Sequence, residues 1–116
     1  LPETALIGFA GAPWTIMTYM AEGGSSRDFV KTRGWAWQYR KETDALLDSL
    51  IESTIGFLTL QANAGADALM LFDSWASVLP AAQRQWLVID PAKKIVEGLR
   101  QNGINQASYR ISKRYW

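Results

Sequence analysis

The 116-residue chain predicts an α/β fold built on a parallel sheet. Three observations carry that expectation. Two short, continuously apolar runs, "ALIGFAG" (residues 5–11) and "DALMLFDS" (67–74), have the length and composition of buried strands. Each is followed by helical sequence, and the order strand, helices, strand, helices is the pattern of βαβ units. Between the runs lies a long amphipathic stretch, "ETDALLDSLIESTIGFLTLQANAG" (42–65), with the period of a helix packed on one face.

The elements follow in order. The unbroken apolarity of residues 5–11 predicts a strand covered on both faces, as in parallel sheets, ending in a glycine turn. Pro13 suits the first turn of a helix, where its missing N–H is no loss. "WTIMTYMAE" is then one short helix, stopped at Gly23-Gly24. In "SSRDFVKTRGWAWQY", Ser25 or Ser26 can cap a helix running from about Arg27 to Gln38, with Asp28 in its first turn and Gly34 weakening it. On the wheel of the long helix, Leu46, Leu47, Leu50, Ile51, Ile55 and Leu58 share one half. Asp48, Glu52, Gly56, Thr59 and Asn63 share the other, and Gly65 is a natural terminator. After the second strand, "WASVLP" reads as a loop. "PAAQRQWLVIDPAKKIVEGLRQNG" reads as one or two helices, interrupted at Asp90-Pro91 and closed by Asn102-Gly103. No repeat of solenoid length and no domain-splitting linker occurs.

Composition excludes several kinds of chemistry. Twelve basic and eleven acidic residues leave a net charge of +1, so no strong field directs the chain to nucleic acid or to a membrane surface. No apolar run approaches the ~20 residues of a membrane span. The opening "LPETALIGF" lacks the basic region and long apolar stretch of a signal peptide, and the cytoplasm is the expected location. The chain contains no Cys and no His. Thiolate nucleophiles, Cys-based zinc sites and the commonest general base are therefore excluded, and no metal site is expected. Gly8 and Gly11 form neither a dinucleotide fingerprint nor a P-loop.

What remains is a pocket argument. Ligands of parallel α/β proteins bind beyond the carboxyl ends of the strands. Both runs end alike, as "IGFAGAPW" and "MLFDSWAS": a Phe, then small or polar residues, then Trp. Equivalent ends bring Phe9 and Phe72, then Asp73 and Ser74, to one rim, with Tyr19 on the adjacent helix. An aromatic-walled pocket with a few hydrogen-bonding groups results. Each residue also has a plainer reading. Phe9 and Phe72 can be core residues, Asp73 can cap the next helix or hold the turn, and Tyr19 can turn its hydroxyl to solvent. Trp14 and Trp75 read as packing residues. Arg27, Lys31 and Arg33 read as a solvated helix face.

The wording of these segments narrows the choice. "LIGFAGAPWTIMTYMAEGG" and "AGADALMLFDSWAS" resemble the uroporphyrinogen decarboxylase family, over about residues 5–104. The resemblance implies a (β/α)8 barrel, normally homodimeric, that removes the four acetate carboxyls of uroporphyrinogen to give coproporphyrinogen, without metal or organic cofactor. It implies that Tyr19 and Ser74 are polar groups near the substrate carboxylates and that Phe9 and Phe72 are walls against the macrocycle. Asp73 is the candidate acidic group. A closed barrel needs ~250 residues, so this chain is expected to be an internal fragment of one: a partial barrel, with a few parallel strands and flanking helices. The family's paired N-terminal arginines, its pyrrole-binding aspartate and its C-terminal histidine have no counterpart here, which predicts that the isolated fragment is inactive.

Two departures stand out. Ser77 replaces the family's usual Gly after "SWA". After Asn105 the family continues into an apolar strand, whereas this chain reads "QASYRISKRYW". The expected division is therefore a barrel fragment over 1–105 and an atypical tail over 106–116. The tail's Arg110, Lys113 and Arg114, interleaved with aromatics, superficially resemble a nucleic-acid patch, but no fold signature accompanies them. Two other readings of the chain are a related barrel methyltransferase acting on corrinoid or thiol substrates, which relies on His and Cys zinc ligands absent here, and a truncated remnant without activity.

Overall fold

The computed structural model describes residues 5–22, 30–73, 79–105 and 107–111. Strand β1 (Ile7–Gly11) leads into α1 (Pro13–Glu22), α2 (Val30–Gln38) and the long α3 (Arg40–Asn63). Strand β2 (Ala68–Asp73) is followed by α4 (Ala81–Arg84), a π-helical turn (Gln85–Ile89), α5 (Asp90–Gln101) and β3 (Ala107–Ile111). The three strands form one parallel sheet in the order β1-β2-β3. The expected capping residues Ser25, Ser26 and Asp28 lie outside the described residues.

Helices cover one face of this sheet. Ala10, Leu69 and Leu71 are buried against Ile51 and Leu58 of α3 and Ile95 and Leu99 of α5. A second cluster joins Trp14 and Met17 of α1 to Ala36, Leu47, Leu79, Leu87 and Val88. Trp14 is completely buried there. The wheel of α3 holds for Leu47, Ile51 and Leu58, but it omits Thr43 and Thr54, which are also buried. Thr54 is tolerated in an apolar seam because its hydroxyl donates to the Leu50 carbonyl at 2.7 Å. Across the far end of α3, the Trp86 indole donates to Asp44 at 2.6 Å, and the Arg40 guanidinium lies 4.2 Å from the Trp86 ring centroid.

Two helices end in the same motif. Gly65 and Gly103 have φ of 110° and 80°, the left-handed region that glycine enters without strain. Gly65 N–H and Ala66 N–H bond back to the Ala62 and Gln61 carbonyls. Gly103 N–H and Ile104 N–H bond back to Arg100 and Leu99 in the same way. Ala66 and Ile104 enter the core beside these caps, and each cap turns the chain towards the following strand.

The structure corrects two expectations. β1 is not covered on both faces: Ile7 and Phe9 are 54 % and 63 % exposed, while Gly8 and Ala10 are buried. A strand's side chains alternate, and helices lie on only one side of the described sheet. The helical region after residue 80 is not interrupted at Asp90-Pro91; both Ile89 and Asp90 keep right-handed helical angles. Proline there donates no hydrogen bond and crowds the carbonyl four residues back. The preceding turn widens, with Asp90 N–H bonded to the Gln85 carbonyl five residues away, and this accommodates Pro91 in the first turn of α5. Residues 107–111, within the segment expected as an atypical tail, pair with residues 69–73 of β2.

Candidate functional site

The carboxyl ends of β1 and β2 are tied together by the Ala12 N–H, which donates to the Phe72 carbonyl at 2.6 Å. The pairing register sets Gly11 beside Phe72 and Phe9 beside Met70. Phe9 therefore stands one pleat deeper than Phe72, not level with it as the matching strand endings suggested. Gly11 presents no side chain next to Phe72. The Phe9 ring instead meets Phe72 across the diagonal, edge to face, with centroids 6.2 Å apart and planes at 74°.

These residues share the uncovered face of the sheet. Together with Ile7, Met70 and two residues of α1, Thr15 and Tyr19, they line an open cavity of about 550 Å³. Thr15 and Tyr19 are four apart on one helix, so they occupy the same side of it. Tyr19 is about half exposed. The cavity is thus apolar along its sheet wall, with the half-exposed Tyr19 on its helix wall, while the Thr15 hydroxyl is taken up by the buried Asp73.

Three of the sequence-derived candidates, Phe9, Tyr19 and Phe72, come together around this cavity. Asp73 does not join them. In β2, Leu69, Leu71 and Asp73 turn to the helical side while Ala68, Met70 and Phe72 turn to the open side. The Asp73 side chain is fully buried, and its Oδ1 accepts from the Thr15 hydroxyl at 2.6 Å. Asp73 thus reaches the cavity lining through Thr15, whose own exposure is 5 %. Ser74 lies outside the described residues. Thr15 and Met70 are additions that the sequence reading missed. For Thr15 the available signal was its position four residues before Tyr19. For Met70 it was its place two residues before Phe72.

Among the described residues, no group of His, Cys, Asp and Glu side chains is arranged to hold a metal ion. No described helix is long and apolar enough to cross a membrane.

Comparison with known proteins extends over most of the chain. The family model described as uroporphyrinogen decarboxylase (URO-D) matches residues 1–109. The uroporphyrinogen decarboxylase of Maricaulis maris is 48 % identical over 106 residues, covering 90 % of this chain and 31 % of the relative. That of Caulobacter vibrioides is 50 % identical over 103 residues, covering 89 % and 29 %. That of Rhodospirillum rubrum is 47 % identical over 98 residues, covering 84 % and 28 %. The chain spans under a third of the length of these relatives. Since the family model matches nearly the whole chain and the relatives share about half of its residues, the chain belongs to the uroporphyrinogen decarboxylase family.

Proposed function

We propose that this chain supplies one wall of the tetrapyrrole site of a uroporphyrinogen decarboxylase, within a (β/α)8 barrel. The observation that carries this reading is the meeting of Phe9, Phe72 and Tyr19 around one cavity at the carboxyl ends of parallel strands. That is where barrel enzymes bind their substrates. The uncovered, apolar face of the sheet supports it too, because in a closed barrel this face turns inward. The homodimer, the cytoplasmic location and the absence of an organic cofactor belong to the same proposal. So does the division into barrel sequence over 1–105 and a divergent segment after it.

Losing an acetate carboxyl from a pyrrole requires a proton on the ring carbon next to the one that bears the side chain, so that the resulting cation is conjugated with the carbon carrying the acetate. The bond between methylene and carboxylate then breaks, its electron pair neutralises the cationic ring, and CO₂ leaves. Transfer of the proton to the methylene leaves a methyl group, so each turnover takes up one proton and releases one CO₂. In this reading the Phe9 and Phe72 rings flank the macrocycle and exclude water from one side. The hydroxyls of Tyr19 and Ser74 donate to substrate carboxylates. The Asp73 carboxylate acts through Thr15, fixing the helix wall against the strand ends, rather than by touching the tetrapyrrole.

The test is a transplant. This chain replaces the matching segment of the Caulobacter vibrioides relative, and the chimera is assayed with uroporphyrinogen. The expected product is coproporphyrinogen; a folded chimera that yields none overturns the reading. The 116-residue chain alone is expected to show no turnover, because it lacks the arginines, the aspartate and the histidine implied by the family resemblance. Measurable turnover by the pure chain would refute that second expectation.

A further inference from the structure

β1 is an edge strand among the described residues, and its backbone is not left bare at the cavity. Parallel pairing turns the N–H and C=O of alternate residues to opposite sides of a strand. The Leu6 carbonyl and the Ala12 N–H bond towards β2 and its approach, which places the groups of Gly8 and Ala10 on that side. The groups of Phe9 therefore face the edge. There they meet the side-chain amide of Gln61, from the last turn of α3. The Phe9 N–H donates to Gln61 Oε1 at 2.8 Å, and Gln61 Nε2 donates to the Phe9 carbonyl at 3.0 Å. One carboxamide makes the same donor–acceptor pair that a neighbouring strand would make at that residue.

The neighbouring sequence is shaped to admit this amide. A Cβ on Gly8 would overlap Gln61 Oε1 and come within 2.9 Å of Leu69 Cδ2. Glycine at position 8 clears the path by which Gln61 passes from the helical layer to the strand edge.

We propose that Gln61 is a positioning residue for Phe9: it clamps both backbone groups of that residue and so fixes the depth and direction of the aromatic wall. The significance for catalysis rests on the functional reading above, whereas the clamp itself does not. Phe9 is mostly exposed, so packing alone holds its ring weakly, and its backbone must supply the order.

Amide hydrogen exchange in the 116-residue chain reads the clamp directly. In the native chain the Phe9 amide should be protected although it faces an edge. In Gln61→Leu it should exchange at least about tenfold faster, while Gly8 and Ala10, bonded to β2, keep their protection. The Phe9–Phe72 ring contact, seen by NMR, should weaken in parallel. Gln61→Glu keeps the acceptor and loses the donor. It should leave the Phe9 amide protected, which separates the clamp from a general loss of fold. An unprotected Phe9 amide in the native chain, unchanged exchange in Gln61→Leu, or a uniform loss across β1 would overturn the proposal. In the chimera, Gln61→Leu should raise the KM for uroporphyrinogen about fivefold with kcat within twofold; an unchanged KM, the result expected where a preceding strand of the closed barrel takes the Phe9 backbone in place of Gln61, overturns the role in substrate binding. A chimera with native Gln61 that makes no product removes the functional reading, and the exchange of Phe9 still decides the clamp.

Discussion

The shortest chain of cause in this protein runs from Thr15 to Asp73. A carboxyl with no solvent access must be satisfied by neighbours, because a buried polar group left short of a hydrogen bond costs about 1–3 kcal/mol. Thr15 supplies a short bond from the first turn of α1 to the last residue of β2, so this contact locks a helix to a strand beside the cavity. Thr15→Val keeps the volume and removes the donor. It should lower stability by about 1–3 kcal/mol in urea titration, with Thr15→Ser close to native. A loss in Thr15→Ser with Thr15→Val close to native would show that the methyl, not the hydroxyl, matters. Phe9 behaves oppositely. It is 63 % exposed, so Phe9→Ala should change stability by less than about 1 kcal/mol. The same change should weaken the binding of uroporphyrin, a stable oxidised probe, by at least about threefold in the chimera, because the edge-to-face partner of Phe72 is gone. Unaltered fluorescence titrations would remove Phe9 from the wall.

At the level of elements, α3 and α5 come close together where Gly98 faces Ile55. A Cβ on Gly98 would overlap Ile55 Cδ1 and come 3.2 Å from its Cγ1. Glycine in a helix interior sacrifices about 1 kcal/mol relative to alanine, and overpacking a core costs about 1–3 kcal/mol. The packing effect is the larger, so Gly98→Ala should not stabilise the native chain. Ile55→Val removes the Cδ1 that blocks the site. In that background Gly98→Ala should stabilise by up to about 1 kcal/mol, and the double-mutant cycle should show a coupling of at least about 0.5 kcal/mol. Additive effects would mean that the two helices adjust without strain. The π-helical turn before Pro91 makes the same point: local preference yields where a continuous helix buries Leu87, Val88 and Ile95.

The described residues form a three-stranded parallel sheet with helices on one face and aromatic and aliphatic side chains on the other. Only β2 uses both of its edges for pairing among the described residues. Native-state hydrogen exchange should therefore rank β2 as the slowest strand, with β1 and β3 opening more readily. Phe9 is the expected exception within β1. Equal protection of all three strands would indicate association through the sheet edges, which a concentration series in analytical ultracentrifugation would reveal.

The sequence by itself determined the α/β class, the first two strands, the long helix and its glycine terminator, and the family, because these depend on periodicity, turn chemistry and local wording. It also brought forward Phe9, Tyr19 and Phe72, each close along the chain to a strand end. Tertiary structure decided what depends on alternation and distance. Which face of β1 is covered follows from where the helices settle, not from how apolar the run is. The offset of Phe9 against Phe72 follows from the register of pairing, which neither strand states alone. The turning of Asp73 away from the cavity follows from the two-residue period of β2, since a residue beside Phe72 must point to the opposite side. β3 is held by backbone pairing with β2, which a polar sequence can make as well as an apolar one. Gln61 was invisible for the same reason: its partners are the backbone N–H and C=O of a residue 52 positions away, and backbone groups leave no mark in a sequence.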